Sequence, residues 1–432
     1  MFNLALAAVL VAPLVGIALM EGGAFGADVL QFGYPNGATR AYALHLLVFY
    51  AVYLVCSRFG RPTEVAGARR GLPTAQDAGR ESLVTLLLLV LFVNLVLAGF
   101  VFFVVGARDV VLGAVGKGEF RASLAGFGAL AYLARDFLTP TLCALVAFVF
   151  QRRRRNRVER LLLWSNIVVA AASGAMWGFK STMVLGLLPA FIILVPRVRL
   201  LHAAALGVVA FASMVGFGMF YERLSASEAA LSVAIRGTIG AGNTAWRIWD
   251  ARRNGEGFPP YWPTLTSAWG GRIGARLGVY SRSDPERMYE VDYTALVTLI
   301  AKGYVYDPDV ATTNVTGTVF GEGVIAFGAP GFLLMSVFAA LVVGMNRRVL
   351  ERARSRGRPL SAALAATFFL TSVFSWLNAG GVVALFQLPF VVNYLLTYLV
   401  ARVLVEVSGS PGSGRRAVRE TVSSGGPAVA SA

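Results

Sequence analysis

The densest concentration of chemically capable residues lies at 221–323, where nine Arg and one Lys face eleven Asp/Glu and four of the seven Trp (Trp246, Trp249, Trp262 and Trp269) are gathered. A connection of that length between apolar runs is usually functional. It is nearly neutral yet densely charged, so its charges serve something other than topology. The planar guanidinium forks of Arg236, Arg247, Arg272 and Arg276 suit anion binding, although intraloop ion pairs with the eleven acids would also occupy them. The flat indoles could stack on sugar faces or anchor the loop at the membrane interface. Glu322 sits between Gly321 and Gly323 where the chain re-enters an apolar run, and its nearest basic residues in sequence are Lys302 and Arg347. A carboxylate at the edge of lipid is costly unless it has a partner or a purpose. It also suits the start of an eighth helix, where the dipole favours negative charge. The run Gly237–Gly242 has the wrong glycine order for a phosphate loop and no strand before it, so it reads as a flexible turn.

The elements that must hold these residues follow from composition. Of 432 residues, 56% are hydrophobic and 14% charged, and the mean hydropathy is +0.66, too apolar for a soluble chain of this length. In lipid only helix bundles and closed barrels satisfy every backbone polar group. The runs here are apolar on all sides rather than alternating, which makes the fold all-α, a polytopic membrane helix bundle. Stretches long enough to span fall at about 3–20, 40–56, 82–105, 122–150, 161–177, 182–195, 200–220, 324–345, 360–378 and 382–404. That is about ten transmembrane helices. The fourth carries Arg135 and Asp136 in its middle and reads as an interfacial helix followed by a short span. The chain divides into 1–220 with seven helices, the external loop 221–323, 324–405 with three helices, and a disordered cytoplasmic tail at 406–432. Within the loop, Arg223–Ile235 and the segment after the Ser283-Asp284-Pro285 cap read as helices. Trp177 and Trp376, at outer helix ends, read as aromatic-belt residues.

The five connections on one side of ten alternating helices hold 23 of the 39 Lys/Arg and seven acids, which accounts for the whole net charge of +16. Positive charge marks the cytoplasmic face. Both termini are therefore expected in the cytoplasm and the loop outside, with anionic lipid rather than nucleic acid the partner of the basic clusters. The first four residues carry no positive side chain, so 1–26 reads as a span rather than a cleaved signal. Cys56 and Cys143 lie in apolar runs where no structural disulfide is expected. His45 and His202 stand far apart, and with no Cys/His cluster no metal and no cofactor is expected.

Three patterns carry a resemblance. Trp177-Gly-Phe-Lys180-Ser181 enters a short span; Gly257–Gly271 is aromatic and glycine-rich and ends at Arg272; Thr313-Asn314-Val315-Thr316 is followed by Gly321-Glu322, Phe327-Gly328 and Gly331. Together they resemble the bacterial oligosaccharide repeat-unit polymerases, the Wzy-type O-antigen and exopolysaccharide polymerases. Two departures stand out: Gly271 where many members have proline, and no external arginine followed eleven residues later by glycine.

What the resemblance implies is a GT-C-like bundle in the inner membrane that transfers glycans at its outer face. The donor would be a polyprenyl-diphosphate-linked oligosaccharide, and a chain-length regulator and a flippase would serve the same pathway. Arginines can meet the charge of a departing diphosphate with paired hydrogen bonds. Lys180, Arg236, Arg247, Arg272 and Arg276 are then the substrate-binding cations, with Trp262 and Asn314 beside them. The acceptor hydroxyl must lose a proton; Glu322 is the first candidate base, or failing that the group that orients the acceptor, with Asp292, Asp307 and Asp309 behind it. The alternatives are an O-antigen-ligase-like transferase, which should carry an external histidine, and a transporter or flippase. Against the latter stand the absence of an internal repeat and the scarcity of ionisable residues in the spans.

Overall fold

The computed structural model describes residues 1–23, 33–58, 80–115, 120, 124, 127–151, 156–178, 186–196, 198–237, 239–255, 258, 293, 296–297, 300 and 317–408. Every regular element among them is helical. Among the described residues seven helices are long and apolar enough to cross a membrane, so the chain is a helical membrane protein.

In chain order, α1 spans Phe2–Glu21, α2 Ala38–Arg58 and α3 Arg80–Gly99, the last running on through a π turn at Phe100–Val104. A short α4 (Ala107–Val111) precedes α5 (Gly128–Gln151), whose middle, Leu133–Leu138, is π-helical. Then come α6 (Arg157–Ala175), α7 (Leu188–Leu194) and α8 (Leu200–Tyr221). The long connection after α8 contributes α9 (Ala226–Gly237) and α10 (Ile239–Arg253). The chain closes with α11 (Thr318–Phe327), α12 (Gly331–Ser355), α13 (Pro359–Ala379, π-helical at Phe369–Phe374) and α14 (Leu388–Val407).

Local sequence explains several boundaries. At the start of α6 the Asn156 side chain accepts from the Arg157 N–H at 2.6 Å, while Glu159 reaches back to the Asn156 N–H; this capping box occupies otherwise orphaned donors. Proline in the first turn starts α7, α13 and α14, where its missing N–H costs nothing.

The bundle is organised around α5, on which Leu142–Ala147 are all fully buried; a helix apolar on every side belongs at the centre. It packs against α7 and α13, α3 pairs with α6, and α2 pairs with α12. Buried polar residues lock these pairs: Thr141 to Thr367 between α5 and α13 at 2.9 Å, and Asn94 to Asn166 between α3 and α6 at 3.2 Å. In lipid such bonds help fix which helices meet.

Four expectations from the sequence are corrected. Arg135 and Asp136 do not separate an interfacial helix from a short span, because α5 runs unbroken through them. Gly237–Gly242 is not a flexible turn: Ile239–Arg253 is helical, and α10 lies along α1. Its Gly242 meets the α1 backbone so closely that an added Cβ would stand 2.5–2.7 Å from Gly16 and Ile17, which is the physical reason for glycine there. The eighth span does not begin at 324, since Gly328, at φ +78, ends α11 and α12 starts at Gly331. Trp177 and Trp376 are not belt residues, both being fully buried.

Candidate functional site

The site is built where α11 meets the break between α13 and α14. Gly317 donates its N–H to the Ala379 carbonyl at 2.9 Å, fixing the entry to α11 against the exit of α13. Thr318 then takes φ +55, a left-handed conformation that a β-branched residue rarely adopts. Strain of this kind persists only where the surroundings over-determine it, and it concentrates at functional sites. The Thr318 hydroxyl oxygen accepts from the Gly321 N–H at 3.3 Å.

One turn further on, Glu322 is completely enclosed. The Trp376 indole N–H donates to Oε2 at 2.8 Å and the Val382 backbone N–H donates to Oε1 at 2.6 Å. Both donors are neutral and both come from the α13–α14 corner. Hydrogen bonds to a charged acceptor are stronger than neutral ones, so this carboxylate pins the corner to α11.

Glycines let the pieces approach. Gly380 and Gly381 have φ +76 and +80, which turns the chain sharply after Trp376. Tyr293 fills the space this opens: a Cβ on Gly380 would lie 2.3 Å from its ring. Its hydroxyl donates to the Gly317 and Thr318 carbonyls at 3.4 and 3.3 Å. Gly321 admits Ile248 of α10, and Gly323 admits the backbone of Gly331 and Phe332. Below them Phe320 packs among Tyr42, Trp249 and Phe332, with ring centroids 5.1, 5.9 and 5.3 Å away. His45 joins this wall at 5.8 Å and hydrogen-bonds Ser336 at 2.6 Å.

A polar cluster joins the C-terminal end of α1, the N-terminal end of α2 and the last turn of α10. Glu21 accepts from the Asn36 and Thr39 N–H groups at 3.1 and 3.3 Å. Asp250 accepts from the Tyr34 hydroxyl at 2.6 Å and from the Asn36 amide at 3.0 Å. That carboxylate raises the Tyr34 phenol above its ordinary pKa. Trp249 and Arg253 both donate to the Asn36 carbonyl.

Of the residues singled out from sequence, Glu322 is central to this arrangement. Arg247 sits on α10 beside Ile248, which touches α11, and is half-buried. Arg236 stands apart, mostly exposed on α9 and paired with Glu222 at 3.5 Å. Asp292, Lys180, Arg272, Arg276, Trp262 and Asn314, with Asp307 and Asp309, lie outside the described residues. Sequence reasoning missed Tyr293, Trp376 and the strained Thr318. The Gly380-Gly381 pair between two apolar runs was the available signal for that corner. Among the described residues no group of three His, Cys, Asp or Glu stands together as a metal site. Comparison with protein-family models, curated proteins and solved structures finds no match for this chain.

Proposed function

We propose that the chain is a glycosyltransferase acting at the outer face of the cytoplasmic membrane, polymerising polyprenyl-diphosphate-linked oligosaccharide repeat units for an O-antigen, capsule or exopolysaccharide. In this reading it sits in the inner membrane with both termini cytoplasmic. The shorter α7, together with α6 and α8, brings the crossings to about ten in a GT-C-like arrangement. The observation that carries the proposal is the enclosure of Glu322: the most specific of the three sequence patterns, Gly321-Glu322 with Phe327-Gly328 and Gly331, centres on a short helix clamped to a glycine corner.

A carboxylate enclosed and bonded to the Trp376 indole and the Val382 N–H is suited to positioning. Glu322 therefore takes the orienting role, holding Trp376 and the turn to Val382, and the proton acceptor is Asp292, the sequence neighbour of Tyr293. Arg247, Arg272, Arg276 and Lys180 supply positive charge for the diphosphate, Trp262 and Asn314 contact the glycan, and Arg236 stands at the edge.

A second reading, a lipid-glycan transporter, gains from two interrupted helices meeting at a buried acid, an arrangement common in transporters. Deleting the gene and running the cell's polysaccharide on a gel separates the two. The proposal expects single repeat units on the surface and no ladder. Loss of surface glycan altogether would favour transport, and an unchanged ladder would overturn both.

A further inference from the structure

A second charge of low exposure lies away from Glu322, on α5. The Arg135 guanidinium carbon stands 4.6 Å from the centre of the Tyr132 ring and 4.7 Å from that of Trp177, and the two rings lie 5.7 Å from each other, so together they form one aromatic wall beside the fork, an attractive arrangement for a cation. Trp177 cannot move aside, being fully buried in a separate core with Val101, Val110, Phe120 and Leu124. One edge of the fork is taken by Asp136, with Nε to Oδ1 at 2.6 Å and Nη2 to Oδ2 at 2.7 Å. Adjacent residues on an α-helix do not face each other; here both lie in the π-helical stretch Leu133–Leu138, a distortion common at functional sites.

Arginine has five N–H donors in a fixed fork. Asp136 uses two, and no described residue takes the Nη1–Nη2 edge, the one that matches two phosphate oxygens. The side chain is 14% exposed and Asp136 35%, so the pair stands at a surface rather than deep in the bundle. Arg135 is sixteen residues from Gln151, about 24 Å along a helix at the usual rise. The basic run Arg152–Arg155 next in sequence suits one boundary of a hydrocarbon layer ~30 Å thick, which brings Arg135 to within about 6 Å of the other boundary, inside the reach of its side chain, whichever way the chain is oriented.

We propose that Arg135, held against the wall formed by Tyr132 and Trp177, is a binding site for the phosphate of a membrane lipid, either a phospholipid headgroup or an isoprenoid diphosphate. Asp136 orients the fork and limits its affinity. This site requires only that the chain crosses a membrane and does not rest on the polymerase reading.

The test is native mass spectrometry of the delipidated full-length protein, titrated separately with phosphatidylglycerol, farnesyl diphosphate and inorganic diphosphate. Arg135→Ala should weaken lipid-phosphate binding at least ~10-fold, as loss of a charged hydrogen-bonded contact does. Arg402→Ala, at an exposed pair with Glu406 on α14, should not change it, and Asp136→Asn should tighten binding. Selective capture of farnesyl diphosphate identifies an isoprenoid site, and equal capture of phosphatidylglycerol identifies a general headgroup site. If inorganic diphosphate binds as well as either lipid, or if Arg135→Ala and Asp136→Asn both bind like wild type at unchanged thermal stability, the proposal is overturned. Polymer ladders with an Arg135→Ala protein that binds normally would remove this site alone.

Discussion

Glu322 is taken out of water completely and Arg135 only in part, and the chain treats the two charges oppositely. Glu322 is enclosed, met by an indole and a backbone N–H from a distant corner, and its helix is pinned by them. Arg135 is paired with its own neighbour, braced by two rings, and one edge is left facing outward. The first arrangement uses a charge to join three segments of backbone. The second uses structure to present a charge. Burial alone therefore does not tell what a charged residue in a membrane bundle is for; the origin of its partners does.

The contrast can be broken most severely at the corner. Gly380→Ala would place a Cβ 2.3 Å from the Tyr293 ring at φ +76, adding backbone strain to overpacking. The expected loss is about 3 kcal/mol or more, seen as a large fall in thermal midpoint in detergent; an unchanged midpoint would show that Tyr293 is not wedged there. Trp376→Phe keeps the ring's bulk but removes one donor to the enclosed carboxylate, so about 1–3 kcal/mol should be lost. Glu322→Gln should partly restore stability in that background, because an amide oxygen needs its donors less than a carboxylate does; strictly additive losses would argue against the contact. At the other charge, Arg135→Lys should change stability by no more than ~1 kcal/mol, the scale of an exposed cation–π contact, while weakening phosphate binding. A drop as large as that of Trp376→Phe would make Arg135 a structural anchor instead.

Much of the helical layout was legible because apolar runs report themselves directly. Glu322 was legible for a related reason, a lone acid in an apolar setting. The separation of α11 from α12 was hidden because both lie in one apolar stretch, and only the left-handed Gly328 divides them. α10 was hidden by its glycines, which read as flexibility although Gly242 serves close packing against α1. Trp376 and Tyr293 could not be placed because their partners are 54 and 24 residues away, and a terminal tryptophan at an outer helix end looks the same in sequence whether it faces lipid or a buried carboxylate. The Arg135–Asp136 pair showed in the sequence as an irregularity, but the aromatic wall beside it depends on Trp177, 42 residues further along the chain.

The proposed chemistry is tested most directly by reconstituting the purified protein with lipid-linked repeat units and following polymer length. Wild type is predicted to build a ladder. Asp292→Asn should slow it roughly 100-fold to 10,000-fold, as loss of a general base does, whereas Glu322→Gln should lower the rate far less and leave the pH profile in place. A folded wild-type protein that leaves every unit unjoined would contradict the polymerase reading, and a Glu322→Gln protein as impaired as Asp292→Asn would return the base to Glu322.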